Sequence, residues 1–487
     1  MKNNVKSIIF LAVMLFTFFS GDLVYARQIQ GIRYGGNDID VFNDMIIDED
    51  YIVTVGVTSS TNIGGLTRTF KANNGFITKM DKNGKIIWQK VLDEDRYISY
   101  PSLVKADNGY IVLKSYGNQP TKASLIKYDL NGNIVWEKES NDKRQYNYIY
   151  KTSDNFYLVI GSFVDDSDNK SIQDAYPFIA KYDGDGNLIK EVKLELDDLV
   201  NNSVVKVIED NSGNYALLIS NNSGGLGTII CFDKNLQEKW KNLDIDIIQH
   251  NIFKDIIVNK DGNYVVIGYE DEAATTNGVA DKEDNFGFIL ELSSKDGSIL
   301  STIKAQNSDG TMIYPISRFQ AITTYKDYYV VIGEAGDIEV YDSLSAYKLP
   351  KKMFLFSAVD QENVKKGQLL ETIDLDEAID DRNISNRNRL VSANANEFYA
   401  TFDVKGNRDY LGTKAIGGYS DAFILHVFDA FDVIKNGINK DNNQEQIVDV
   451  PDTLSKVSLI AVIAGGTLII LGVSVTLIVL NKKGKVN

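Results

Sequence analysis

Hydrophobic and polar residues alternate along most of the chain with the period of β-strands, and the pattern repeats. A tyrosine followed by an apolar run, as in YIVLKSY and YVVIGYE, occurs seven times. The seven tyrosines are Tyr51, Tyr110, Tyr157, Tyr215, Tyr264, Tyr329 and Tyr399. Short alternating runs between turn residues predict half-buried strands rather than helices.

A second apolar run follows each tyrosine run after a gap of variable length. Its copies begin at Gly75, Ser124, Pro177, Gly227, Gly287, Met353 and Ala422. Another strand-like run precedes most tyrosine runs, and a fourth follows a tight turn, as in IKYDLNGNIVW. The pairs Asn83-Gly84 and Asn131-Gly132 are typical of hairpin turns. Each unit therefore predicts four strands, A to D, in an antiparallel meander.

Repetition of this unit predicts the fold. Four-stranded units of about 50–60 residues are typical of β-propeller blades. We expect an all-β protein, with a seven-bladed β-propeller of four-stranded blades over residues 27–437. The last unit lacks a clear strand D, so we expect RQIQGIRYGG, which begins at Arg27, to supply it and close the ring. Residues 431–437 are the alternative.

The unit IKYDLNGNIVW and its copies resemble the repeats of PQQ-type (quinoprotein dehydrogenase-like) propellers and related secreted bacterial propellers. The resemblance covers roughly residues 28–437 and implies a fold rather than an activity. Quinoprotein enzymes also need a cofactor site with calcium and an acidic base, and no stretch matches it residue by residue. We therefore expect no cofactor, and calcium binding has no support.

The two ends of the chain predict a location at the cell envelope. Lys2 and Lys6 precede an apolar run, and a small-residue cleavage site ends at Ala26, so residues 1–26 read as a signal peptide. Residues 457–480 carry no charge and are long enough to span a bilayer, and a basic tail, 481–487, follows them. We expect one C-terminal membrane span, with the propeller outside.

A short motif lies in the polar linker, residues 438–456. Its residues are Val450, Pro451, Asp452, Thr453 and Leu454. The motif resembles a sortase sorting signal, whose usual form is LPxTG, with Val450 in place of Leu and Leu454 in place of Gly. The resemblance implies cleavage after Thr453 and linkage to peptidoglycan. The alternative is that the apolar helix is the permanent anchor.

Charge and rare residues narrow the chemistry. The net charge of −16 disfavours nucleic acid and leaves room for cations or basic partners. Cys231 is the only cysteine, so it forms no intramolecular disulfide, and its apolar neighbours predict burial. His250 and His426 have no metal-ligand spacing. We assign no catalytic residue and no metal ligand.

Repeated aspartates and tryptophans are the other candidates for binding chemistry. Asp129 and Asp183 begin runs that look like calcium loops, but neither the glycine nor the final acidic residue of an EF-hand is in place, which favours hairpins. Trp88, Trp136 and Trp240 each lie seven residues after an aspartate. Packing between blades is the favoured interpretation, and stacking on a sugar is the alternative. The spacing does not fit the Asp-box of glycosidase-like propellers.

The meander separates two faces of the predicted ring. The A–B and C–D turns lie on one face, and the longer, more varied B–C loops and D–A crossings lie on the other, where we expect binding. The candidates on the crossings are Arg96, Tyr97, Tyr100, Arg144, Tyr146 and Tyr148. The alternative is that these are ordinary solvated loops.

These features favour a non-catalytic binding or protein-interaction module at the cell envelope. Its partner would be an extracellular protein or glycan. One alternative is an extracellular glycan-active hydrolase or lyase that uses carboxylates on the long-loop face. Another is a scaffold for assembly of other envelope proteins.

Replacing Thr453 with alanine tests the sorting motif. If Thr453 is the linkage residue, the T453A protein moves from the cell-wall fraction to the membrane fraction. An unchanged distribution contradicts sorting and leaves the apolar helix as the anchor. Immunoblots of the two fractions measure the distribution, with Thr61→Ala as the matched control.

Overall fold

The computed structural model describes sixteen stretches of the chain. They are residues 29–117, 121–140, 143–164, 175–194, 202–221, 227–242, 251–270, 286–305, 316–325, 328–336, 338–341, 344–347, 352–361, 364–374, 389–394 and 397–428. The expected signal peptide, the linker with its sorting motif, the apolar segment 457–480 and the basic tail lie outside these stretches. No helix in the described stretches is long and apolar enough to cross a membrane.

Strands are the regular elements of these stretches. They are β1 (Ile29–Tyr34), β2 (Asp40–Asp48), β3 (Tyr51–Thr58), β4 (Asn62–Ile63), β5 (Leu66–Thr67), β6 (Asn74–Asp81), β7 (Ile86–Val91), β8 (Ile98–Ser99), β9 (Leu103–Ala106), β10 (Gly109–Tyr116), β11 (Lys122–Asp129), β12 (Ile134–Glu139), β13 (Arg144–Lys151), β14 (Tyr157–Phe163), β15 (Tyr176–Tyr182), β16 (Leu188–Lys193), β17 (Asn202–Glu209), β18 (Tyr215–Asn221), β19 (Thr228–Phe232), β20 (Glu238–Asn242), β21 (Asn251–Val258), β22 (Tyr264–Glu270), β23 (Gly287–Leu292), β24 (Ile299–Lys304), β25 (Ile316–Tyr325), β26 (Tyr328–Gly336), β27 (Ile338–Tyr341), β28 (Leu344–Tyr347), β29 (Lys352–Gln361), β30 (Val364–Asp374), β31 (Leu390–Asn394), β32 (Glu397–Lys405) and β33 (Ser420–Val427).

The strands pair as antiparallel meanders, which confirms an all-β propeller with four-stranded blades. From strand A to strand D, sheet 1 is β2-β3-β6-β7, sheet 3 is β13 to β16, sheet 4 is β17 to β20, and sheet 5 is β21 to β24. Sheet 6 is β25-β26-β29-β30, and sheet 7 is β31-β32-β33-β1. Two short hairpins, β4-β5 and β27-β28, lie in B–C connections.

The prediction of seven four-stranded blades is wrong in its count, because the described residues form six four-stranded sheets. The remaining unit, sheet 2, has five strands, since β8 and β9 both pair with β10 beside β11 and β12. Pro101 lies between β8 and β9. A proline has no backbone N–H for the ladder, so it interrupts the inner strand at this point.

The ring is closed by the first strand of the described chain. β1 pairs with β33 along its whole length, from Ile29 opposite Val427 to Tyr34 opposite Ala422. This confirms the prediction that the segment after Ala26 supplies strand D of the last sheet. The alternative, residues 431–437, lies outside the described residues.

The hydrophobic core lies between neighbouring sheets rather than at one centre. One cluster joins Val53 and Ile77 of sheet 1 to Tyr110 and Val112 of sheet 2, and similar clusters join each following pair. Another cluster joins sheets 6 and 7, and another joins sheet 7 back to sheet 1 through Ile424. Burial of apolar surface therefore continues around the whole ring.

The C–D hairpins use their aspartates inside the turn, as the hairpin interpretation predicts. Asp129 Oδ1 accepts hydrogen bonds from the backbone N–H groups of Asn131 and Asn133, at 2.9 and 2.8 Å. Asp183 makes the same two contacts in its own turn. Gly132 has a φ of 80°, which a side chain would strain. These aspartates stabilise turns.

Each repeated tryptophan packs against the C–D turn of the next sheet, which confirms the packing interpretation. The indole N–H of Trp88 donates to Leu130 O at 2.9 Å, and a Cβ added to Gly132 would lie 2.7 Å from the Trp88 ring. Trp136 has the same relation to Gly186, and Trp240 to Gly297. The spacing of aspartate and tryptophan therefore sets the register between sheets.

The repeated tyrosines are also structural, with one exception. Six are buried at the start of strand B, but Tyr51 is half-buried, and Ile52 occupies the equivalent position in sheet 1. The hydroxyl of Tyr110 donates to Asp48 of sheet 1 at 2.6 Å. The hydroxyl of Tyr264 donates to Asp210 of sheet 4 at 2.9 Å. In sheets 2 and 5 the tyrosine thus reaches the A–B turn of the preceding sheet.

The Tyr264→Phe variant tests the importance of this link. Removing the hydroxyl deletes a buried hydrogen bond to a carboxylate, so the free energy of unfolding should fall by about 2 kcal/mol. Tyr51→Phe, at the half-buried position, is the matched control and should change it by less than about 0.5 kcal/mol. Urea denaturation followed by tryptophan fluorescence measures both, and equal losses would contradict a special role for the link.

Candidate functional site

On the face that carries the B–C loops and the D–A crossings, the described residues are most complete where the ring closes. The B–C loop of sheet 1 (residues 59–73), the B–C loop of sheet 7 (residues 406–419) and the crossing from β1 to β2 (residues 35–39) are all described. Among the other long B–C loops, residues 165–174 and 271–285 lie outside the described stretches.

These three segments form one continuous surface. Asn37 accepts hydrogen bonds from the N–H groups of Thr61 and Asn62, at 2.9 and 3.4 Å. On the other side of the crossing, the N–H of Tyr419 donates to Asp38 O at 3.1 Å. We call residues 37–38, 61–70 and 416–419 the closure face. Segments more than 300 residues apart in sequence therefore meet on one surface.

The closure face exposes large apolar side chains. Leu66 is 40% exposed, Phe70 36%, Ile416 48% and Tyr419 51%. Among the described residues, the other exposed large apolar side chains lie on outer strands or in a C–D turn: Ile87, Leu130, Ile134, Val135, Leu188, Ile189 and Leu300. Exposed apolar groups on a loop face are typical of an interaction site.

A buried arginine holds the sheet 1 part of this face in place. The guanidinium of Arg68, which is only 5% exposed, donates to four backbone carbonyl oxygens. The acceptors are Leu92 O, Thr58 O, Ser60 O and Ala72 O, at 2.9, 3.2, 2.7 and 2.8 Å. The guanidinium donates to backbone carbonyl oxygens around the loop. Arg68 therefore holds this loop in position.

A carboxylate fixes the end of the same loop. Asp93 accepts hydrogen bonds from the N–H groups of Thr69 and Phe70, each at 2.9 Å. These bonds, first that from Phe70, lower the pKa of Asp93 below its usual value. Phe70 is therefore presented on ordered backbone.

Of the six residues predicted on the D–A crossings, three are buried and three are at least partly exposed. Tyr100 and Tyr146 are 1% and 3% exposed, and their hydroxyls lie 3.1 Å from those of Tyr128 and Tyr182. Arg144 is buried, and it donates to Glu191 at 2.7 Å. These three residues are therefore not accessible to a partner. The chain enters the core earlier than the sequence indicates.

The other three predicted residues remain at least partly accessible. Arg96 is exposed, pairs with Glu94 at 2.6 Å and lies over the ring of Tyr116. Tyr97 and Tyr148 are half-buried. Tyr148 belongs to an inner strand, and the guanidinium of Arg389 lies 5.1 Å from the centre of its ring. Arg96 and Tyr97 therefore lie on a D–A crossing, whereas Tyr148 lies on the inner strand β13.

Sequence reasoning missed a shared bulge on the inner strands. Five of them carry one extra residue at the same register: Asn43, Asn147, Val205, Lys254 and Gln320. The following residues are Asp44, Tyr148, Lys206, Asp255 and Ala321. An alignment of the five segments would have shown the pattern, because each has two residues between two apolar ones. The segments are FNDM, YNYI, VVKV, FKDI and FQAI. Bulges often direct side chains towards functional sites.

Two of these bulge residues connect neighbouring sheets. Asp44 Oδ2 accepts from the hydroxyl of Ser102, at 2.5 Å, and from Leu103 N in sheet 2. Asp255 Oδ2 accepts from Ile322 N in sheet 6, at 3.1 Å. Both carboxylates therefore bind the next inner strand.

Each of these carboxylates is also paired with a cation. Arg389 Nε donates to Asp44 at 2.9 Å, and Lys206 donates to Asp255 at 2.6 Å. Burial lowers the pKa of Arg389, but Asp44, Tyr148 and Asp255 together raise it more, so the net shift is upward and the guanidinium stays charged. These contacts give the channel carboxylates a structural role.

Three further carboxyl groups lie next to the closure face. Asp40 accepts from Gly36 N and the hydroxyl of Ser60, at 2.7 and 2.8 Å. Burial raises the pKa of Asp40 to about 6 and that of Asp421 to about 7. Burial also raises the pKa of Asp403 well above its usual value. In the part of the chain that the structure describes, no three His, Cys, Asp or Glu residues are arranged to hold a metal ion.

The rare residues are buried. Cys231 is fully buried, as expected, and burial raises the pKa of its thiol, so it is a poor nucleophile. His426 stacks on Tyr399 with ring centres 4.0 Å apart, and burial lowers its pKa to about 4. His250 lies outside the described residues. Neither described residue is presented to a ligand.

No protein-family model matches the chain, and no curated protein sequence matches it. Similar folds occur among solved structures. Virginiamycin B lyase from Staphylococcus aureus has 11% identity and a TM-score of 0.44, covering 82% of this chain and 99% of that one. Polysaccharide lyase Uly1 has 9% identity and a TM-score of 0.46, covering 82% and 97%. The Neurospora crassa Pan2 WD40 domain has 10% identity and a TM-score of 0.44, covering 80% and 89%. Identities and TM-scores this low carry no information about activity.

The Arg68→Ala variant tests whether the arginine orders the sheet 1 loop. Its loss leaves four carbonyl oxygens without their donor, so the loop should open and trypsin should cut after Lys71. Arg96→Ala, which removes an exposed arginine from the neighbouring crossing, is the control and should leave Lys71 protected. Mass spectrometry of limited digests measures the cut, and equal protection in both variants would contradict the role given to Arg68.

Proposed function

We propose that the chain is a non-catalytic binding module at the cell envelope that recognises an extracellular protein through its closure face. The observation that carries the proposal is the exposure of Leu66 and Phe70 on a loop held by Arg68 and Asp93. Apolar side chains on pre-ordered backbone are the usual anchors of protein interfaces, because little entropy is lost when they bind.

The side chains exposed on the closure face favour a protein partner over a glycan. Sugars are bound by aromatic faces with many polar groups, but Leu66 and Ile416 are aliphatic. The chain is acidic, with a net charge of −16, so a partner with basic groups around an apolar centre would be complementary. A partner that is itself an envelope protein would make the chain an assembly scaffold.

Anchoring at the envelope is part of the proposal. It is supported by the signal-peptide pattern that ends at Ala26, the uncharged residues 457–480 and the basic tail. With this topology the propeller lies outside the cell. Linkage through Thr453 to peptidoglycan would hold the same face outward. The proposal requires no cofactor.

A glycan-active enzyme is the second candidate, and one observation favours it. Burial, and then the charges of Glu334 and Asp40, raise the pKa of the half-buried Asp403. A carboxyl group whose pKa is raised in this way has a property required of a general acid. The side chains of Asp40 and Asp421 have no exposed surface, which argues against their direct contact with a substrate.

A double variant, Leu66→Ser with Phe70→Ser, tests the binding surface. Chemical cross-linking of intact cells followed by mass spectrometry would identify the partner, and calorimetry with the purified partner would measure affinity. We expect the double variant to weaken binding at least about tenfold, since each anchor contributes on the order of 1 kcal/mol or more. The matched control is Ile87→Ser with Ile134→Ser, two exposed apolar residues on outer strands, which should bind normally.

Two outcomes would contradict the proposal. Unchanged affinity in the Leu66/Phe70 variant would move the interface elsewhere. Release of product from a panel of extracellular glycans, abolished by Asp403→Asn, would establish the enzyme instead.

A further inference from the structure

Buried charged groups from three strands meet where the ring closes. Asp40 is the first residue of β2, Asp421 is the second residue of β33, and Arg33 lies on β1. A bridge between Ile39 and Ser420 joins the starts of β2 and β33 directly. The side chain of Asp421 has no exposed surface, and that of Arg33 is 2% exposed. The junction that completes the ring is therefore also a site of buried charge.

The carboxyl groups at this junction have few hydrogen-bond donors. Among the described residues, neither oxygen of Asp421 has a hydrogen-bond partner, and Asp40 Oδ1 has none. Arg33 Nη1 lies 3.3 Å from Asp421 Oδ2, close enough for an ion pair but without hydrogen-bond geometry. Burying an ionised carboxylate without donors costs much more free energy than burying the neutral acid. The geometry therefore favours the protonated form.

The carboxyl groups also act on one another. Asp40 raises the pKa of Asp421 in addition to the effect of burial, while Arg33 and the backbone N–H of Ile416 oppose the rise. For Asp40, burial is the largest effect, and hydrogen bonds from Thr58 and Ser60 oppose it. Asp403 is raised by burial, by Glu334 and by Asp40. A proton on one carboxyl group thus removes repulsion felt by its neighbours.

Every element packed on the junction contributes charged or titratable groups. The cations are Arg33 on β1, Arg68 on the sheet 1 loop, Lys405 at the end of β32, and Arg408 and Lys414 on the sheet 7 loop. The further acidic and phenolic groups are Tyr34, Asp38, Glu334, Asp409 and Tyr410. Carboxyl groups outnumber these cations, so full ionisation would leave a net negative charge at the junction.

We propose that Asp40 and Asp421 form a proton-binding site at the ring closure, which is tightened by protonation and loosened when the protons leave. Ionised Asp40 and Asp421 repel each other across the bridge between Ile39 and Ser420. The repulsion separates the start of β2 from the start of β33. The closure face lies on these same segments, so its order depends on the proton occupancy of the site.

The direction of the effect follows from proton binding in the two states. In the unfolded chain these carboxyl groups ionise near pH 4, whereas in the folded protein Asp40 and Asp421 ionise near pH 6 and 7. The folded state therefore holds more protons between about pH 4 and pH 7, and its stability falls as pH rises through this window. His426 acts in the opposite direction below about pH 6.5, because its folded pKa is lowered to about 4.

Denaturation of the full chain in detergent micelles at pH 5 to 8 tests the proposal. For the wild type, stability should fall between pH 6 and pH 8. Asp421→Asn and Asp40→Asn replace the carboxyl groups with near-isosteric neutral ones, so each should gain more stability relative to wild type at pH 8 than at pH 5. The relative change in the unfolding equilibrium constant should be roughly tenfold or more for Asp421→Asn. Comparison with wild type cancels the contribution of His426.

Asp129→Asn is the matched control, because Asp129 is a turn carboxylate whose pKa is lowered by hydrogen bonds with Asn133. It should leave the pH dependence above pH 5 unchanged. A wild-type stability that is flat or rising between pH 6 and pH 8 would overturn the proposal. So would Asp421→Asn and Asp40→Asn variants with the slope of the wild type.

Hydrogen exchange measures the loosening directly and does not require any variant to fold. After correction for the intrinsic pH dependence of exchange, protection of peptides covering residues 35–42 and 416–423 should fall between pH 6 and pH 8. Peptides from β14 and β15 should keep their protection. A uniform change over all peptides, or no change at the junction, would refute a local proton-dependent closure.

Discussion

Register between neighbouring sheets is the constraint on which the rest of the ring depends, and at two interfaces a hydrogen bond from a buried tyrosine to the preceding sheet fixes it. Tyr110 reaches Asp48, and Tyr264 reaches Asp210, so the start of strand B is fixed to the A–B turn before it. An apolar interface between two sheets can slide, because the hydrophobic effect has no direction. A hydroxyl that must find one carboxylate removes this freedom. With the sheets in register, the tryptophans meet the C–D turns, and the inner-strand bulges lie at one level.

Local patterns predicted the elements of the fold well. Alternation and turn chemistry placed the strands, and the unused segment before Tyr34 was correctly predicted to complete sheet 7. The sequence did not reveal the broken inner strand at Pro101, because residues 98–99, which form β8, stand in the polar crossing DEDRYISY. It also misaligned sheet 1 by one residue. Tyr51 looks like its counterparts, but only pairing with β6 shows that Ile52 occupies the buried position.

The candidate site was much harder to predict than the fold. Tyr100, Arg144 and Tyr146 stand in polar, crossing-like sequence, yet each is buried, because the chain enters the core at those points. The closure face consists of three segments, and the contacts that unite them, such as Asn37 with Thr61 and Tyr419 with Asp38, are set by tertiary structure. The charge pairs of the channel also depend on residues distant in sequence: Arg389 and Asp44 are 345 positions apart. No local pattern carries that information.

The pairing of β1 with β33 has a consequence for the order in which the molecule is made. A ribosome synthesises Ile29 long before Val427, so among the described strands the one that seals the ring is the first to emerge and its partner is the last. Until β33 is made, β1 is an unsatisfied edge, which is prone to pair with the wrong chain. The ring can therefore close only after β33 has been synthesised. A chain interrupted before β33 leaves β1 without its pairing partner, and proteases can recognise such a chain as unfolded.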